Sequence, residues 1–200
     1  MTVARLRDIA VAAFGLCFLA PLLGIVAASV MALDGRPLFF LQVRGGLHGR
    51  NFVLFKFRTM NAARDDAGAL LPDEQRITRS GRFLRATRLD ELPQLWNVLV
   101  GDMSLVGPRP LLAATVAEAA RTGSPRNSVR PGLTGWAQVN GNTLLSDQDK
   151  IALDDWYVAN RSAALDLLIL GRTLAVVFFG ERLNSTAIGK AHARSDHRGG

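Results

Sequence analysis

GRFLRATRLDELPQLWNVLVGDMSLVGPRP, residues 81–110, sets two adjacent carboxylates, Asp90 and Glu91, between arginines on one side and a helix on the other. Proline suits the first turn of a helix and disfavours helical geometry in the residue before it. Pro93 therefore predicts a helix entered near Leu92. From there Leu92, Leu95, Trp96 and Leu99 recur at i, i+3, i+4 and i+7, which predicts one apolar face. Asp90 and Glu91 then stand at the helix N-terminus, where the dipole and unpaired N–H groups favour negative charge. Read alone, the pair can serve that helix end and nothing more.

The flanks add a second meaning. Arg76, Arg79, Arg82, Arg85 and Arg88 precede the pair. Steps of three drift around a helix by about 60° each, so the five cannot share one face. Arg85 and Arg88 are nearest the dyad. Downstream, Gly107-Pro108-Arg109-Pro110 is a rigid turn that presents Arg109. Carboxylates among arginines suit a site where a divalent cation and a phosphate meet. The carboxylate takes Mg²⁺, and the guanidinium forks take phosphate oxygens.

Composition narrows the partners. The 200 residues carry a net charge of +7 and are 48% hydrophobic, with a mean hydropathy of +0.16 and a pI near 10.9. Length suits one domain with a fair core. The charge favours anionic partners: nucleic acid, a phospholipid surface or a phosphorylated substrate. Base-stacking aromatics are few, which speaks against nucleic acid. Cys17 is the single cysteine, so no intrachain disulfide forms. His48, His192 and His197 make no zinc pattern, and neither a Walker A sequence nor GxGxxG is present.

Ile9 to Leu33 runs 25 residues without a charge. As a straight helix it would measure about 38 Å, enough to cross a hydrocarbon core of about 30 Å. Pro21 sits near its middle and removes the hydrogen bond to the Cys17 carbonyl. Two topologies follow: a kinked transmembrane helix, or a re-entrant helix that enters and leaves by one face. Arg5 and Arg7 precede the segment and Arg36, Arg44 and Arg50 follow it. Positive charge on both sides is awkward for a span and natural for re-entry.

Next, Pro37 to Val43 and Asn51 to Phe57 predict a β-hairpin around a glycine-rich turn. Alternation puts Phe52, Leu54 and Lys56 on one face and Val53, Phe55 and Phe57 on the other. Arg44, Lys56 and Arg58 can contribute to an anion site or to a solvated edge. Leu111 to Arg121 predicts a helix. Trp136 to Val139 predicts a short strand between two turns, with Gln138 and Asn140 as polar donors or plain turn residues. Asp154 and Asp155 read as a solvated helix face, or as groups that support the site from behind. Ala163 to Phe179 is an apolar helix, in the core or in a bilayer interface. Ser185 to Gly200 reads as a disordered tail.

LDELPQLWNVLVGDMSLVGPRP (residues 89–110), with FKFRTM (residues 55–60) before it and VRPGLTGWAQVNG (residues 129–141) after it, strongly resembles the bacterial sugar transferase family, the monotopic phosphoglycosyl transferases. The resemblance covers residues 3–182. It implies an α+β fold, mostly helical with a small β-hairpin. It implies a re-entrant membrane helix broken at Ala20-Pro21 within residues 1–34, and interfacial helices around a cytosol-facing catalytic domain at 35–184. It implies Mg²⁺, a UDP-sugar donor and a polyprenyl (undecaprenyl) phosphate acceptor. The place would be the phospholipid of the bacterial inner membrane, at its cytoplasmic face, with downstream glycosyltransferases as further partners. Asp90 would attack the β-phosphorus, release UMP and also bind the metal, with Glu91 positioning Asp90, assisting the metal or accepting a proton from the lipid phosphate. Arg85 would hold phosphate, with Arg88, Arg109, Lys56 and Arg44 as further candidates. The family commonly carries Ser-Pro at the helix break and arginine after Asn-Gly. Here these are Ala20-Pro21 and Asn142. The competing reading is a non-catalytic, basic, membrane-anchored binding or scaffold protein, which leaves Asp90 and Glu91 without a role.

Overall fold

A computed structural model describes residues 3–196. Helix α1, Val3–Asp34, stays helical through Ala20 and Pro21. A break in helical conformation at Pro21 is therefore not seen: one lost N–H bond is tolerated when the ladder on both sides persists. The same body supports α1 from end to end. Arg5 donates to the carbonyls of Val98 (2.6 Å) and Leu99 (2.9 Å). Ala12 is buried in the main core, and Val26 and Val30 share a second cluster with Phe57 and Leu84. At the far end Asp34 accepts from Thr78 and Ser80. Its other face, with Phe14, Phe18, Ile25 and Leu33, is exposed.

Strands β1 (Phe39–Gly45) and β2 (Asn51–Phe57) form the expected antiparallel hairpin, in register from Phe39↔Phe57 to Gly45↔Asn51. Phe52 and Leu54 enter the core, and Lys56 follows them on the same face, partly buried. A one-turn helix α2 (Asp73–Arg76) leads to α3 (Arg79–Thr87), capped by the Thr78 hydroxyl, which accepts from Gly81 N at 2.9 Å. Gly81 lies so close to the strand end that a Cβ there would sit 2.0 Å from the Thr59 carbonyl oxygen.

Helix α4 is Gln94–Val100, two residues later than Pro93 suggested, with Pro93 as its cap. Its buried face is Gln94, Leu95, Asn97 and Val98, while Trp96 is 51% exposed. The apolar spacing thus holds for Leu95, and in part for Leu92 and Leu99, and fails at Trp96, where Asn97 is buried instead. The Asn97 amide explains why: it accepts from Phe55 N (3.2 Å) and donates to Val53 O (2.7 Å), satisfying the open edge of β2.

Strands β3 (Ser104–Val106) and β4 (Gly132–Thr134) pair in parallel, across α5 (Ala113–Arg121). Trp136–Val139, expected as a strand, is instead one helical turn, α6. Asn140 holds that turn by donating to Trp136 O at 2.7 Å, and Trp136 stacks on Trp156. Helices α7 (Asp147–Asn160) and α8 (Ala163–Phe179) follow. Asp154 on α7 is fully buried rather than solvated. It pairs with Arg126 at 2.8 Å, and the same Arg126 nitrogen donates to Arg109 O at 2.6 Å. Asp155 accepts from Ser124 at 2.6 Å. Helix α8 buries Asp166 and Ile169 and exposes Leu167, Leu174, Phe178 and Phe179.

The segment expected as a disordered tail is helix α9 over Ser185–Asp196, and residues 197–200 lie outside the described residues. Its small residues Ala187 and Ala191 are buried in the core, and His192 meets Asp149 of α7 at 2.7 Å. Composition suggested disorder, but two alanines at helical spacing suffice for close packing. Removing one partner of a buried ion pair leaves the other charge uncompensated. Asp154→Ala should therefore cost about 3–5 kcal/mol of stability, read by urea unfolding in detergent followed by circular dichroism.

Candidate active site

The dyad lies in a 3-10 turn, Leu89–Glu91, between α3 and α4. Arg88 closes α3 in the left-handed region (φ 59°, ψ 14°). For a side-chain-bearing residue this conformation costs about 1–3 kcal/mol and is kept where surroundings enforce it. The reversal turns the chain so that Asp90 and Glu91 line a cleft of about 900 Å³ between the hairpin, α3 and the Arg109 turn. Seven basic side chains line it against four acidic ones, so the cleft is positive.

The two carboxylates differ. Glu91 accepts from Lys56 Nζ at 2.7 Å and lies 4.0 Å from Arg109. Burial opposes its ionisation, yet Lys56 and Arg109 outweigh burial and hold its carboxyl below the usual range. Asp90 is 6% exposed, and its Oδ1 is buried without a hydrogen-bond partner. Burial first, and then the charge of Glu91, push its carboxyl above the ordinary value against the pull of Lys56, Arg85 and Arg88. Neighbours in sequence are thus driven apart in protonation behaviour, as paired catalytic carboxylates are.

The cations arrive from separate elements. Arg85 of α3 donates to the Thr59 hydroxyl at 2.9 Å. Arg44 of β1 donates to Gln42, and burial and Arg109 lower its affinity for the proton. Arg109 donates to Asn142 Oδ1 at 2.8 Å. Arg88 pairs with Glu181. The structure therefore brings Asp90, Glu91, Arg44, Lys56, Arg85, Arg88 and Arg109 to one cleft. Arg58 also lines it, but its guanidinium is engaged by the carbonyls of Asp34, Gly35 and Arg36.

Other expected residues lie elsewhere. Asn140 is fully buried and structural: its carbonyl oxygen accepts from Arg172 (3.3 Å) and Asn184 (2.8 Å). Gln138 is absent from the large cleft but is buried with an unpartnered Oε1 in an adjoining, mostly apolar pocket of about 240 Å³ that Arg88, Glu91 and Arg109 also line. Ala20 and Pro21 do not line the cleft. Glu181, which follows α8, and Thr143 were not singled out in the sequence, and both line the cleft. A single acid after an apolar helix carries no local signal of that position.

Among the described residues no group of three His, Cys, Asp or Glu could hold a metal alone. Mg²⁺ takes one or two carboxylates and completes its shell with substrate phosphates and water. The orphaned oxygen of Asp90 fits that demand.

A buried carboxylate with an unpartnered oxygen thus stands among cations in one cleft. Among the described residues one helix, α1, is long and apolar enough to cross a membrane. Residues 1–180 match the family described as bacterial sugar transferase, and the chain belongs to that family. It is 48% identical over 186 residues to a Bacillus subtilis (strain 168) protein named uncharacterized sugar transferase EpsL, covering 93% of this chain and 92% of that one. It is 38% identical over 185 residues to a UDP-glucose:undecaprenyl-phosphate glucose-1-phosphate transferase of Klebsiella pneumoniae, covering 87% of this chain and 40% of the relative. It is also 38% identical to a UDP-N-acetylgalactosamine-undecaprenyl-phosphate N-acetylgalactosaminephosphotransferase of Aeromonas hydrophila, covering 88% of this chain and 44% of the relative. The chain thus spans less than half of these two larger transferases.

Because Asp90 binds its proton more readily folded than unfolded, its ionised form costs stability once pH rises through its folded pKa. Asp90→Asn should therefore raise the thermal midpoint at pH 8, by about 2–4 °C per kcal/mol relieved. The gain should vanish below about pH 4, where aspartate is protonated in both states. Paired thermal scans at the two pH values check this.

Proposed function

We propose that this protein is a phosphoglycosyl transferase that moves a sugar phosphate from a UDP-sugar to undecaprenyl phosphate and releases UMP. The observation that carries the reading is Asp90, buried yet unpartnered at Oδ1, in a cleft lined by phosphate-binding cations. The family and the names of the relatives support it. A scaffold would have no use for an unpaired buried carboxylate, which costs stability and is kept where function needs it.

The Asp90 carboxylate attacks the β-phosphorus of the donor. A bond forms from its oxygen to phosphorus, the bond to the bridging oxygen breaks, and UMP leaves with that electron pair. A phosphate oxygen of the lipid then attacks the same phosphorus, and the aspartyl bond breaks, which frees Asp90. This splits one difficult displacement into two. Lys56, Arg85, Arg88 and Arg109 hold phosphate oxygens as charge shifts between them. Glu91 keeps Lys56 and Arg109 in place through its ion pairs. Asp90 would hold Mg²⁺ together with substrate phosphates. The ion would spread the diphosphate charge.

Both ends of helix α1 stay on one side of the bilayer, the cytoplasmic one in this reading, and the reaction would open the lipid-linked assembly of a bacterial glycoconjugate for later glycosyltransferases. The support is that both ends of α1 dock on the same body, Arg5 on α4 and Asp34 on the Thr78–Ser80 turn. In Cys17→Ser protein, single cysteines at Val3 and Arg36 should both resist a membrane-impermeant maleimide in intact cells. Labelling at one end alone would show a span.

The reaction is tested with detergent-extracted protein, Mg²⁺, undecaprenyl phosphate and a panel of UDP-sugars. One donor should release UMP, and protein mass should rise by one sugar phosphate when lipid is omitted. Asp90→Asn should lower turnover by about 10⁴-fold or more and abolish the mass shift. A folded protein that releases UMP from no donor would overturn the proposal.

A further inference from the structure

The Glu181 carboxylate is the best-coordinated anion in the cleft. Its Oε1 accepts from Arg88 and, at 2.6 Å, from Asn142 Nδ2. Its Oε2 accepts from Thr143 N at 3.1 Å and from the Thr143 hydroxyl. Four donors from three residues thus converge on one carboxylate: a guanidinium, an amide, a backbone N–H and a hydroxyl. This set is a general receptor for an oxyanion, and two carboxylate oxygens resemble two of the terminal oxygens of a phosphate.

Its position is equally specific. Thr143, Glu181 and Arg88 line the large basic cleft. Arg88 and Asn142 also line the apolar pocket of about 240 Å³, which is walled by Leu105, Leu133, Val139, Leu170 and Val176. The receptor therefore stands where a polar cavity meets an apolar one. A ligand that fits both has a phosphate head joined directly to hydrocarbon. Glu181 follows Gly180, whose φ of 80° ends α8, so its carboxylate is carried on a turn rather than on a helix. A phosphate monoester bears more charge than a carboxylate and competes for the same donors.

We propose that Arg88, Asn142 and Thr143 form an anion site that Glu181 fills in the free protein and that the head of a prenyl phosphate takes over, its first hydrocarbon units entering the apolar pocket. The assignment rests on the transferase reading for the prenyl nature of the chain. Glu181 is then a placeholder that keeps the receptor formed and is displaced by the lipid.

The test is equilibrium binding without turnover, in detergent, with three probes: farnesyl phosphate, inorganic phosphate and UDP. Glu181→Gln keeps the shape and removes the charge, and Glu181→Ala empties the site. Both should bind farnesyl phosphate roughly tenfold more tightly than the wild type, the scale of one charge-assisted hydrogen bond no longer contested. Adding Val176→Phe to Glu181→Ala should remove that gain for farnesyl phosphate and leave inorganic phosphate binding as it was. Equal or weaker binding by both Glu181 variants, with folding verified by circular dichroism, would show that the carboxylate supports Arg88 and would overturn the proposal. A gain confined to UDP would assign the site to the donor and would also overturn it. Wild-type UMP release separates the two readings. Release without a gain sinks the site alone, and a gain without release sinks the transferase reading alone.

Discussion

A carboxylate kept out of water without a hydrogen bond at one oxygen is the constraint around which this protein is built. Asp90 sits 6% exposed, with Oδ1 unpartnered and a second carboxylate next to it in the chain. Left alone, such a pair would hold its protons or unfold the turn. Cations from distant elements oppose this, fully at Glu91 and in part at Asp90. Lys56 comes from β2 and Arg109 from a proline-flanked turn, and both are committed to Glu91. Asp90 thereby feels positive field without losing its free oxygen to a partner. That division, one carboxylate paired and one open, is what the proposed phosphate transfer would need.

The supports extend well beyond the cleft. Arg109 is held from behind by Arg126, which donates to its carbonyl and is itself locked to the buried Asp154. A buried ion pair gives little net stability, since desolvation offsets its attraction. Its geometric effect is clear, because it ties the Arg109 turn to α7. A second buried network fixes the long helix. Ser104 donates to Asp8 at 2.5 Å, Arg7 donates to Asp166 at 3.2 Å, and Tyr157 donates to the other Asp166 oxygen at 2.7 Å. Helix α1 is thus clamped to β3, α7 and α8 at its polar end while its apolar face stays exposed. The same body that carries the basic cleft presents Phe14, Phe18, Leu174 and Phe178 at its surface. The proposed reaction, with a charged donor from water and an acceptor from lipid, would use that juxtaposition.

Much of the site was legible because it is local. The dyad, the arginines of α3 and the Gly107–Pro110 turn lie within about one continuous stretch, and strand alternation placed Lys56 on the correct face of β2. Where local rules failed, a distant partner had overridden them. Trp96 was expected inside, but Asn97 took the buried position because β2 offered two backbone groups to its amide. Asp154 was expected in solvent, but Arg126 waited 28 residues away. Trp136 and Val139 are strand-forming types, yet the Asn140 amide and the Trp156 ring hold residues 136–139 as a helical turn. The polar C-terminal segment became α9 because α7 offered a surface that small side chains fit.

The sequence by itself determined the hairpin, the long apolar helix, the carboxylate pair and the cations nearest to it. Each follows from the spacing of residues a few positions apart, over which backbone geometry is fixed. Only the tertiary structure decided that Arg88 would meet Glu181 across 93 residues, that Arg5 would cap the end of α4 across a similar distance, and that an apolar pocket would open beside the basic cleft. Such pairings depend on how helices pack, and packing is selected by the summed burial of many side chains, which no short stretch encodes.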